Sequence, residues 1–452
     1  MKGIVTMKAE KILKIVLTVL VIILISLVSF GGIFVKNTKF VESVIPEYQL
    51  GMDLKGTRSI TMEINDSTKT VYYDKDGNIV SQEGENTTAK EEPINSKDSL
   101  TKENYEKTKQ LIEQRLKQMN VQDFIIRQDE TTGKLFVQLT ENDNTDLFVQ
   151  YMAIKGSFTV VNDDGDVLLT NSDIKNAQVG YRTTNEGTAV YLTINFNKEG
   201  QAKLKDISNT YVKTTDEEGN ATTKKVTLKI DDSTLLSTYF QEEIANGVIQ
   251  MSIGQSTTDV STIQSYLQEA SNLAVLLNTG EMPLTYSITA NKYVKSDITI
   301  EMLSIPAIIL LVIIVVALLA LVVKYRKNGL LVAICHIGYA ASLLLVIRYT
   351  NVVITIEGIA GLLISFVMNY IFSIYLLNLL QKNKEEGINL QFREATLKSL
   401  LILIPATIIA VTLCFSGWLP IFSFGTTLFW GLMTCAIYNV VITRTLLVNA
   451  GK

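Results

Sequence analysis

Apolar and polar stretches alternate in long blocks along this 452-residue chain. One apolar run covers residues 12–35, and several more follow one another after residue 301. Each run has roughly the 20 residues that an α-helix needs to cross a bilayer. The pattern therefore predicts a membrane α-helical bundle of six TM helices: a tail at 1–11, the first helix at 12–35, and a five-helix block within 301–452. We place those five helices at residues 303–323, 329–347, 356–380, 398–416 and 421–447.

Residues 36–300 form the polar block and show both strand-like alternation and helical periodicity. They predict a large α+β domain in which a ferredoxin-like base (36–154 and 248–300) is interrupted by an inserted head subdomain (155–247). Gly156 and Gly247 mark the two crossings, and glycine suits a hinge because it tolerates most backbone conformations. The base is predicted to contain strands at 57–64, 124–126 and 135–137, helices at 101–119 and 143–154, and a last strand at 248–253 followed by a helix at 259–277.

Charge is divided unevenly between the blocks. Residues 36–300 hold 27 basic and 39 acidic residues, a net charge of −12, whereas the remainder holds 14 and 6, a net charge of +8. The basic residues before the first helix and after the second, fourth and sixth fall on one side, which the positive-inside rule assigns to the cytoplasm. We therefore expect both termini in the cytoplasm, residues 36–300 outside it, and no nucleic-acid partner. A cleaved signal peptide is the alternative for the first run, but the run is longer than usual and no small-residue cleavage site follows it.

The fourth predicted helix carries a row of polar residues. Ser365, Asn369 and Ser373 recur every four residues, so they share one helix face. Polar side chains inside a membrane must meet a neighbouring helix or a water-lined path. Two interpretations stay open, namely coordination of a dehydrated cation and hydrogen bonding between helices.

Two other groups are candidates for titration. His336, the only histidine, lies in the third predicted helix, and Glu357 lies at the outer mouth of the fourth. The alternatives are a hydrogen-bonded packing residue for His336 and a solvated interfacial charge for Glu357. The sequence shows no nucleophile–base pair, no metal-ligand spacing and no phosphate-binding loop, which argues against an enzyme, a metal site or a bound cofactor. The three cysteines lie in apolar runs, so no disulfide framework holds the polar block.

Several short motifs, taken in order, resemble the SecD family, the bacterial protein-export membrane subunits of the resistance-nodulation-division (RND) type. Residues 50–56 (LGMDLKG) are similar to the family's LGLDLRGG, which singles out Gly51, Asp53, Leu54 and Gly56. The other similar segments are 115–121 (where Asn120 replaces a family glycine), 273–283, 325–329, 358–361, 424–428 with Gly431, and 443–444.

The chain departs from the family where the family carries membrane-buried carboxylates. Counting from Gly361, the family's aspartate tied to proton movement falls at Ile371, and the asparagine after it falls at Ser373. A further Asp-x-Asn of the fifth helix falls near Leu401 and Leu403. Serine, asparagine and aliphatic side chains cannot exchange a proton near neutral pH. We therefore expect ion coupling to depend largely on a partner.

The resemblance implies a subunit of the Sec pathway in the bacterial cell membrane, whose outer domain catches unfolded preprotein and prevents its return. Implied partners are a SecF-like subunit, the SecYEG translocon and the preprotein, with proton or sodium motive force as the driving source. Because six helices are predicted here, the SecF half is expected on a separate chain. Two alternatives remain: a divergent scaffold without ion coupling, and an unrelated RND-type small-solute transporter.

Overall fold

A computed structural model describes residues 2–36, 41–73, 75, 79–80, 88–185, 187–212, 214–215, 221–222, 224–231, 233–296, 298, 300–382 and 387–450. The chain divides into two compact units, residues 1–57 with 295–452, and residues 58–294. The helices are α1 (Lys2–Gly31), α2 (Met52–Lys55), α3 (Lys102–Gln118), α4 (Thr145–Ala153), α5 (Lys198–Thr210), α6 (Val260–Thr279), α7 (Ile300–Tyr349), α8 (Ile356–Lys382), α9 (Ile388–Leu413), α10 (Leu419–Tyr438) and α11 (Arg444–Ala450).

Strands occur in both units, and most of them lie in the second. They are β1 (Phe34–Lys36), β2 (Val41–Ser43), β3 (Gln49–Leu50), β4 (Thr57–Ile64), β5 (Thr68–Tyr73), β6 (Ile79–Val80), β7 (Thr88–Pro93), β8 (Phe124–Gln128), β9 (Leu135–Thr140), β10 (Phe158–Asn162), β11 (Val167–Thr170), β12 (Ile174–Thr184), β13 (Gly187–Phe196), β14 (Thr214–Thr215), β15 (Ala221–Thr222), β16 (Val226–Ile230), β17 (Ser233–Thr238), β18 (Val248–Thr257), β19 (Tyr286–Val294) and β20 (Val353–Ile354).

The first unit contains the apolar helices. Among the described residues, five helical stretches are long and apolar enough to span a membrane, and they involve α1, α7, α8, α9, and α10 with α11. The 50 residues of α7 would extend about 75 Å as a straight helix. Its backbone leaves the helical region at Arg326 (φ 51°, ψ −123°). A Cβ on Gly329 would lie 2.0 Å from the Leu321 carbonyl oxygen, whereas eight residues of straight helix separate such groups by about 12 Å. The chain therefore reverses here, at the turn that the sequence predicts.

The start of α9 differs from the prediction. The helix begins at Ile388, ten residues before the predicted 398. Phe392 and Ala395 are buried, and the Phe392 ring packs edge-on against Phe372 of α8. Arg393 interrupts the apolar run of the sequence but lies on the exposed side of the helix. A long apolar run therefore predicts this helix, but it does not predict the amphipathic first turns.

The base of the second unit is a four-stranded sheet in the order β19-β4-β9-β8. Thr101 is the N-cap of helix α3, and its side chain accepts a hydrogen bond from the Asn104 N–H. Alternation along β4 places Ile60 and Met62 on one face, where both are fully buried. They pack with residues of β9 and α3 in one core, which includes Ile112, Leu116, Leu135, Val137 and Leu139.

The head contains two larger sheets, β11-β10-β16-β17 and β12-β13-β18. Helices α5 and α6 contribute to a single core with both sheets. Fully buried members of this core include Phe158, Phe196 and Leu204. The predicted head strands at 158–161, 189–196 and 226–230 are present as β10, β13 and β16.

Strand β18 corrects the predicted boundary between base and head. It pairs antiparallel with β13, with Ile253 opposite Val190. The prediction that 248–253 is the last strand of the base is therefore wrong, because that strand belongs to a head sheet. The last strand of the base sheet is β19, which follows α6 in the chain. A two-residue alternation identifies a strand but not the sheet in which it pairs.

Candidate functional site

The polar face predicted on α8 is buried. Ser365, Asn369 and Ser373 are 0%, 2% and 2% exposed. Ser365 Oγ donates to the Leu362 carbonyl at 2.6 Å, and Ser373 Oγ donates to the Asn369 carbonyl at 2.9 Å. Both serines thus bond within their own helix, and Asn369 is the residue whose side chain reaches other helices.

Asn369 is the centre of a polar cluster drawn from three helices. Its Oδ1 accepts hydrogen bonds from Asn439 Nδ2 at 2.6 Å and from Cys435 Sγ at 3.4 Å. Its Nδ2 lies 3.3 Å from Nε2 of His336. Thr443 Oγ1 donates to Asn439 Oδ1 at 2.9 Å. We call these five residues the membrane cluster, and all of them are buried.

The bonding pattern around His336 suits a neutral imidazole. One side of the ring bonds the backbone of Val332, and Nε2 faces the Asn369 amide. Because Asn369 Oδ1 already accepts from Asn439 and Cys435, the Asn369 Nδ2 is the donor and the histidine nitrogen is the acceptor. A protonated ring would bring two donors face to face. The geometry therefore favours the packing interpretation of His336.

The chain from α10 to α11 passes through one turn of π-helix at Asn439–Thr443. Such turns are rare and occur often at functional sites. This one holds two members of the membrane cluster, neither of which is a carboxylate. No group of three His, Cys, Asp or Glu residues that could hold a metal ion occurs in the described part of the chain. The chemistry available to the cluster is hydrogen bonding between helices.

The positions that match the family's carboxylates lie away from the membrane cluster. Ile371 is 50% exposed and Leu401 is 76% exposed, so both face outward from the first unit. Carboxylates of the block after residue 300 that the structure describes are Glu301, Glu357 and Glu394. Glu301 and Glu357 lie in the first turns of α7 and α8, and Glu394 lies in the second turn of α9. None of these three sits halfway along a span.

Close packing of α8 on α10 explains two of the glycine motifs. A Cβ on Gly361 would lie 2.4 Å from Thr427 Oγ1, and a Cβ on Gly431 would lie 2.3 Å from Ser365 Cβ. Small residues allow membrane helices to approach until their backbones nearly touch. The motifs at 358–361 and 424–431 thereby bring Asn369 within reach of α10.

The motif at residues 50–56 connects the chain to the start of α8. Strand β3 pairs in parallel with β20, and the Gly51 N–H donates to the Ile354 carbonyl at 2.9 Å. Asp53 Oδ2 accepts the N–H of Ile356 at 2.8 Å. The first N–H groups of a helix lack intrahelical partners, and its N-terminus attracts negative charge. Asp53 therefore caps α8 from a distant part of the sequence.

The other residues of this motif and Glu357 lie close by. Leu54 is buried, and Gly56 has φ +99°, a conformation that favours glycine. Glu357 is exposed, and its Oε2 accepts a hydrogen bond from Thr355 Oγ1 at 2.9 Å. Burial raises the pKa of Asp53, the charge of Glu357 acts in the same direction, and bonds from backbone N–H groups oppose them.

The two predicted hinge glycines occupy different kinds of position. Gly247 lies inside the head, where its carbonyl accepts from the Phe196 N–H at 3.0 Å and an added Cβ would lie 2.0 Å from Gln201. The prediction that Gly247 marks a crossing is wrong, because β18 continues the head beyond it. Gly156 lies at a crossing with φ +82°, and its Cβ would lie 2.7 Å from Nη2 of Arg115.

A buried arginine joins the base to both crossings. Arg115 comes from the base helix α3 and is 0% exposed. Its guanidinium donates to the carbonyl oxygen of Ile154, to that of Lys155 at 3.0 Å and to that of Gly280 at 2.9 Å. Its Nε donates to Thr279 Oγ1 at 3.2 Å. The second crossing is therefore at residue 280, after α6.

Two helices end at this arginine. Ile154 and Gly280 are the C-cap residues of α4 and α6. The last carbonyls of a helix lack intrahelical partners, and the C-terminal end of a helix attracts positive charge. Burial lowers the pKa of Arg115 to about 10, and Asp231 acts in the opposite direction. The guanidinium thus remains charged at neutral pH and satisfies two helix ends at once.

Three further contacts are made at the crossings. Lys155 Nζ lies 2.7 Å from Glu281 Oε1, and the Met282 N–H donates to the Lys155 carbonyl at 2.9 Å. Asp231 Oδ2 accepts the Gly156 N–H at 3.2 Å. We call Arg115, Lys155, Gly156, Gly280 and Glu281 the junction cluster.

The roles of Arg115 and Asn439 are not predicted from the sequence, although a signal exists for each. Arg115 follows Ile112 by three residues, so it lies on the apolar face of its helix, and a charged residue there requires buried partners. Asn439 lies four residues after Cys435 and four before Thr443, which is the same polar spacing that singles out α8. In both cases the identity of the partners depends on the fold.

Known proteins are similar to this chain both in the head and over most of its length. The family profile "SecDF, P1 head subdomain" matches residues 146–284. Protein translocase subunit SecD of Acidaminococcus fermentans is 19% identical over 427 residues, which cover 93% of this chain and 90% of that protein. The chain is thus similar to SecD proteins over nearly its whole length. The profile includes β18 and α6, which lie beyond the predicted end of the head at 247.

Other similar proteins also cover most of this chain. Protein translocase subunit SecD of Dictyoglomus turgidum is 23% identical over 360 residues, which cover 77% of this chain and 83% of that protein. The crystal structure of SecDF in its super-membrane-facing form matches with a TM-score of 0.57 and 16% identity, covering 98% of this chain. The match covers 58% of that SecDF chain. At this level of identity the structural likeness shows a shared fold.

Proposed function

We propose that this chain is a SecD-family auxiliary subunit of the Sec protein-export machinery and assists the late translocation of unfolded polypeptides. The observation that carries the proposal is the head, because a profile specific to the SecDF P1 head covers the part of the chain that forms it. The two SecD relatives extend the likeness to both units of the chain.

The proposed topology has six membrane crossings in the bacterial cell membrane, with both termini in the cytoplasm and residues 36–300 outside. The reversal of α7 at Arg326 supports the sixth crossing, because it turns one helical stretch into two of membrane length. Lys327 Nζ lies 2.9 Å from the Ala450 carbonyl oxygen, which places the end of the last helix beside this turn. The positive-inside rule puts that basic turn in the cytoplasm.

The proposed base is ferredoxin-like, with β4, α3, β8, β9, α4 and β19 as its elements and the head inserted between α4 and β19. In this proposal the head moves relative to the base about the crossings at 156 and 280. Gly156 is the permissive position, since its φ of +82° is one that glycine adopts readily. The junction cluster opposes that movement, so it sets the free energy that a swing requires.

A SecF-like subunit is the proposed partner within the membrane, together with the SecYEG translocon. The chain accounts for 58% of the SecDF chain that it matches, and the rest of that chain has no counterpart among the matched residues. Helix α8 presents an apolar side on which Ile364, Val367 and Ile371 are 43%, 56% and 50% exposed. This side includes the family's carboxylate position, and in this proposal the partner's ion pathway faces it.

Ion coupling, by protons or sodium, is proposed to reside largely on the partner. The support is chemical, because the membrane cluster offers amide, hydroxyl, thiol and imidazole groups and no acid. The same observation favours a second candidate function, a SecD-like scaffold without ion coupling. The two candidates differ in whether the work of this chain depends on the membrane potential or ion gradient.

Export in SecD-depleted cells rescued by this chain tests both. We expect rescued export of a Sec substrate to fall to the level of cells without the chain when a protonophore or a sodium ionophore is added. Rescue that persists under both ionophores would establish the scaffold instead. Failure of rescue, together with failure to purify with a SecF-like subunit, would contradict the proposal as a whole.

A further inference from the structure

A groove follows the seam between α9 and the stretch from α10 to α11. At one end it widens to a cavity of about 580 Å³ lined by Arg393, Arg444, Asn389 and Thr396, among others. Further along the same two helices a second cavity of about 390 Å³ is lined almost wholly by aliphatic residues. These include Leu403, Ile404, Ile408, Val411, Leu432 and Met433. The groove is thus basic at one end and apolar along its length.

The basic end lacks a matching negative charge in the described structure. No carboxylate belongs to the described lining of either cavity. Arg444 contacts the neutral amide oxygen of Asn389 at 3.3 Å. The neighbouring acid Glu394 lies 3.0 Å from Lys398. Guanidinium groups can bond a phosphate group in forked pairs, and two of them line this cavity.

The apolar part has the length of a lipid chain. From Leu397 to Thr407 the rise along α9 is about 15 Å, half of a hydrocarbon core of about 30 Å. Leu397 is 55% exposed, and Val440 on the opposite wall is 43% exposed. Both line the basic cavity together with Thr396, so the surface changes from charged to mainly aliphatic along the groove.

We propose that this groove binds one anionic phospholipid, with its phosphate on Arg393 and Arg444 and an acyl chain along α9 towards Ala436. Charge and shape both select this occupant, because a membrane helix of a partner would leave two guanidinium groups without an anion. Basic pockets between helices are known binding sites for anionic lipid headgroups. The proposal rests on this chain's own residues and does not depend on the export function.

Lipid retention by the full chain tests the proposal. The chain is reconstituted into nanodiscs of equal parts phosphatidylglycerol and phosphatidylcholine, and the lipids that stay bound are counted by native mass spectrometry. We expect one retained phosphatidylglycerol. One basic residue near an anionic headgroup favours binding about fivefold, so Arg393→Gln with Arg444→Gln should lower the ratio of retained phosphatidylglycerol to phosphatidylcholine about 30-fold.

The matched control removes two positive charges from the same end of the bundle. Lys324 and Lys382 are the residues changed in this control. They lie near each other, because Gln381, next to Lys382, donates to the Lys324 carbonyl at 3.4 Å. Lys324→Gln with Lys382→Gln should leave the ratio unchanged. An equal fall in both double variants would overturn the proposal, since it would show attraction to general positive charge. Gel filtration of each variant confirms that it remains folded.

A filling variant separates a lipid from a free anion and from a partner helix. Ala436→Leu narrows the apolar part and leaves both arginines in place, so it should abolish retention of the phospholipid. If inorganic phosphate displaces the bound lipid and binds Ala436→Leu as well as the unaltered chain, the site is an anion site and the proposal fails. Cross-linking of a cysteine at Leu397 to a SecF-like subunit, with no lipid retained in that complex, would also overturn it.

Discussion

Replacing Arg115 with methionine should loosen the junction between base and head while the rest of the second unit stays folded. The substitution keeps an unbranched side chain and removes the guanidinium. The Lys155 carbonyl retains the Met282 N–H as a partner. The carbonyls of Ile154 and Gly280 lose the donor that the structure gives them.

The magnitude follows from those two carbonyls. A buried acceptor left without a partner costs about 1–3 kcal/mol, so two cost about 2–6 kcal/mol. Removing the guanidinium also removes the cost of burying its charge, which offsets part of this loss. We therefore expect the free energy of opening the junction to fall by about 2–4 kcal/mol, which speeds exchange about 30-fold to 1,000-fold at 1.36 kcal/mol per decade.

Hydrogen exchange of the full chain, measured by mass spectrometry, reports this opening at the Met282 amide. Amides of β13 in the head should keep their protection, which distinguishes local opening from global unfolding. Arg127→Met is the control, because Arg127 is exposed on β8 of the same base sheet. Arg115→Lys keeps a charge but lacks the fork that reaches two helix ends, so its exchange should be intermediate. Unchanged protection at Met282 in Arg115→Met, or an equal increase in Arg127→Met, would refute the reasoning.

Three further predictions concern other parts of the structure. Gly156→Ala and Gly280→Ala both add a Cβ at positive φ, but only the Cβ at residue 156 meets atoms within 3 Å. Gly156→Ala should therefore lower the melting temperature more than Gly280→Ala. Equal decreases in melting temperature would assign the whole effect to the backbone. Asn369→Ala should destabilise the bundle by about 1–2 kcal/mol in detergent unfolding, because membrane hydrogen bonds contribute modestly. The hydroxyl of Thr407 bonds a carbonyl of its own helix, so Thr407→Val should change the free energy of unfolding by much less. A similar loss of stability in Asn369→Ala and Thr407→Val would contradict the central role of Asn369. The raised pKa of Asp53 means that the native state binds more protons than the unfolded state above its ordinary value of 3.8. The contribution of Asp53 to the free energy of unfolding is therefore complete below pH 3.8 and is lost as the pH rises through the native pKa. Asp53→Asn should flatten this decline. An unchanged pH dependence would exclude Asp53 as its source.

The membrane helices were predictable because their signal is local. An apolar run of sufficient length needs no knowledge of neighbours, since a helix satisfies its own backbone in lipid. The turn at 325–329 was also local, marked by three basic residues between two apolar runs. The start of α9 was missed because its first turns are amphipathic and resemble a loop by hydropathy alone.

The boundary of the head depends on pairing over long distances. Strand β18 alternates in a way that fits either the base sheet or a head sheet, and its partner β13 lies more than 50 residues earlier. The misplaced hinge at Gly247 follows from that one assignment. A glycine at a predicted strand start gives no information on which sheet the strand joins.

The polar face of α8 was predictable from spacing, but its chemistry was not. Whether Asn369 binds a cation or another helix depends on what faces it. The structure supplies Asn439, Cys435 and His336, none of which offers a negative charge. Arg115 shows the same limit in the soluble unit, because its place on an apolar face predicts burial, whereas its function requires the two helix ends that meet there.

The link at residues 49–56 ties the start of α8 to a segment that lies about 300 residues earlier in the chain. Three contacts tie this segment to the start of α8: the pairing of β3 with β20, the bond from Gly51 to Ile354 and the bond from Ile356 to Asp53. The segment leads directly into β4, the first strand of the base sheet. Asp53 of helix α2 therefore bonds the first N–H group of α8 directly.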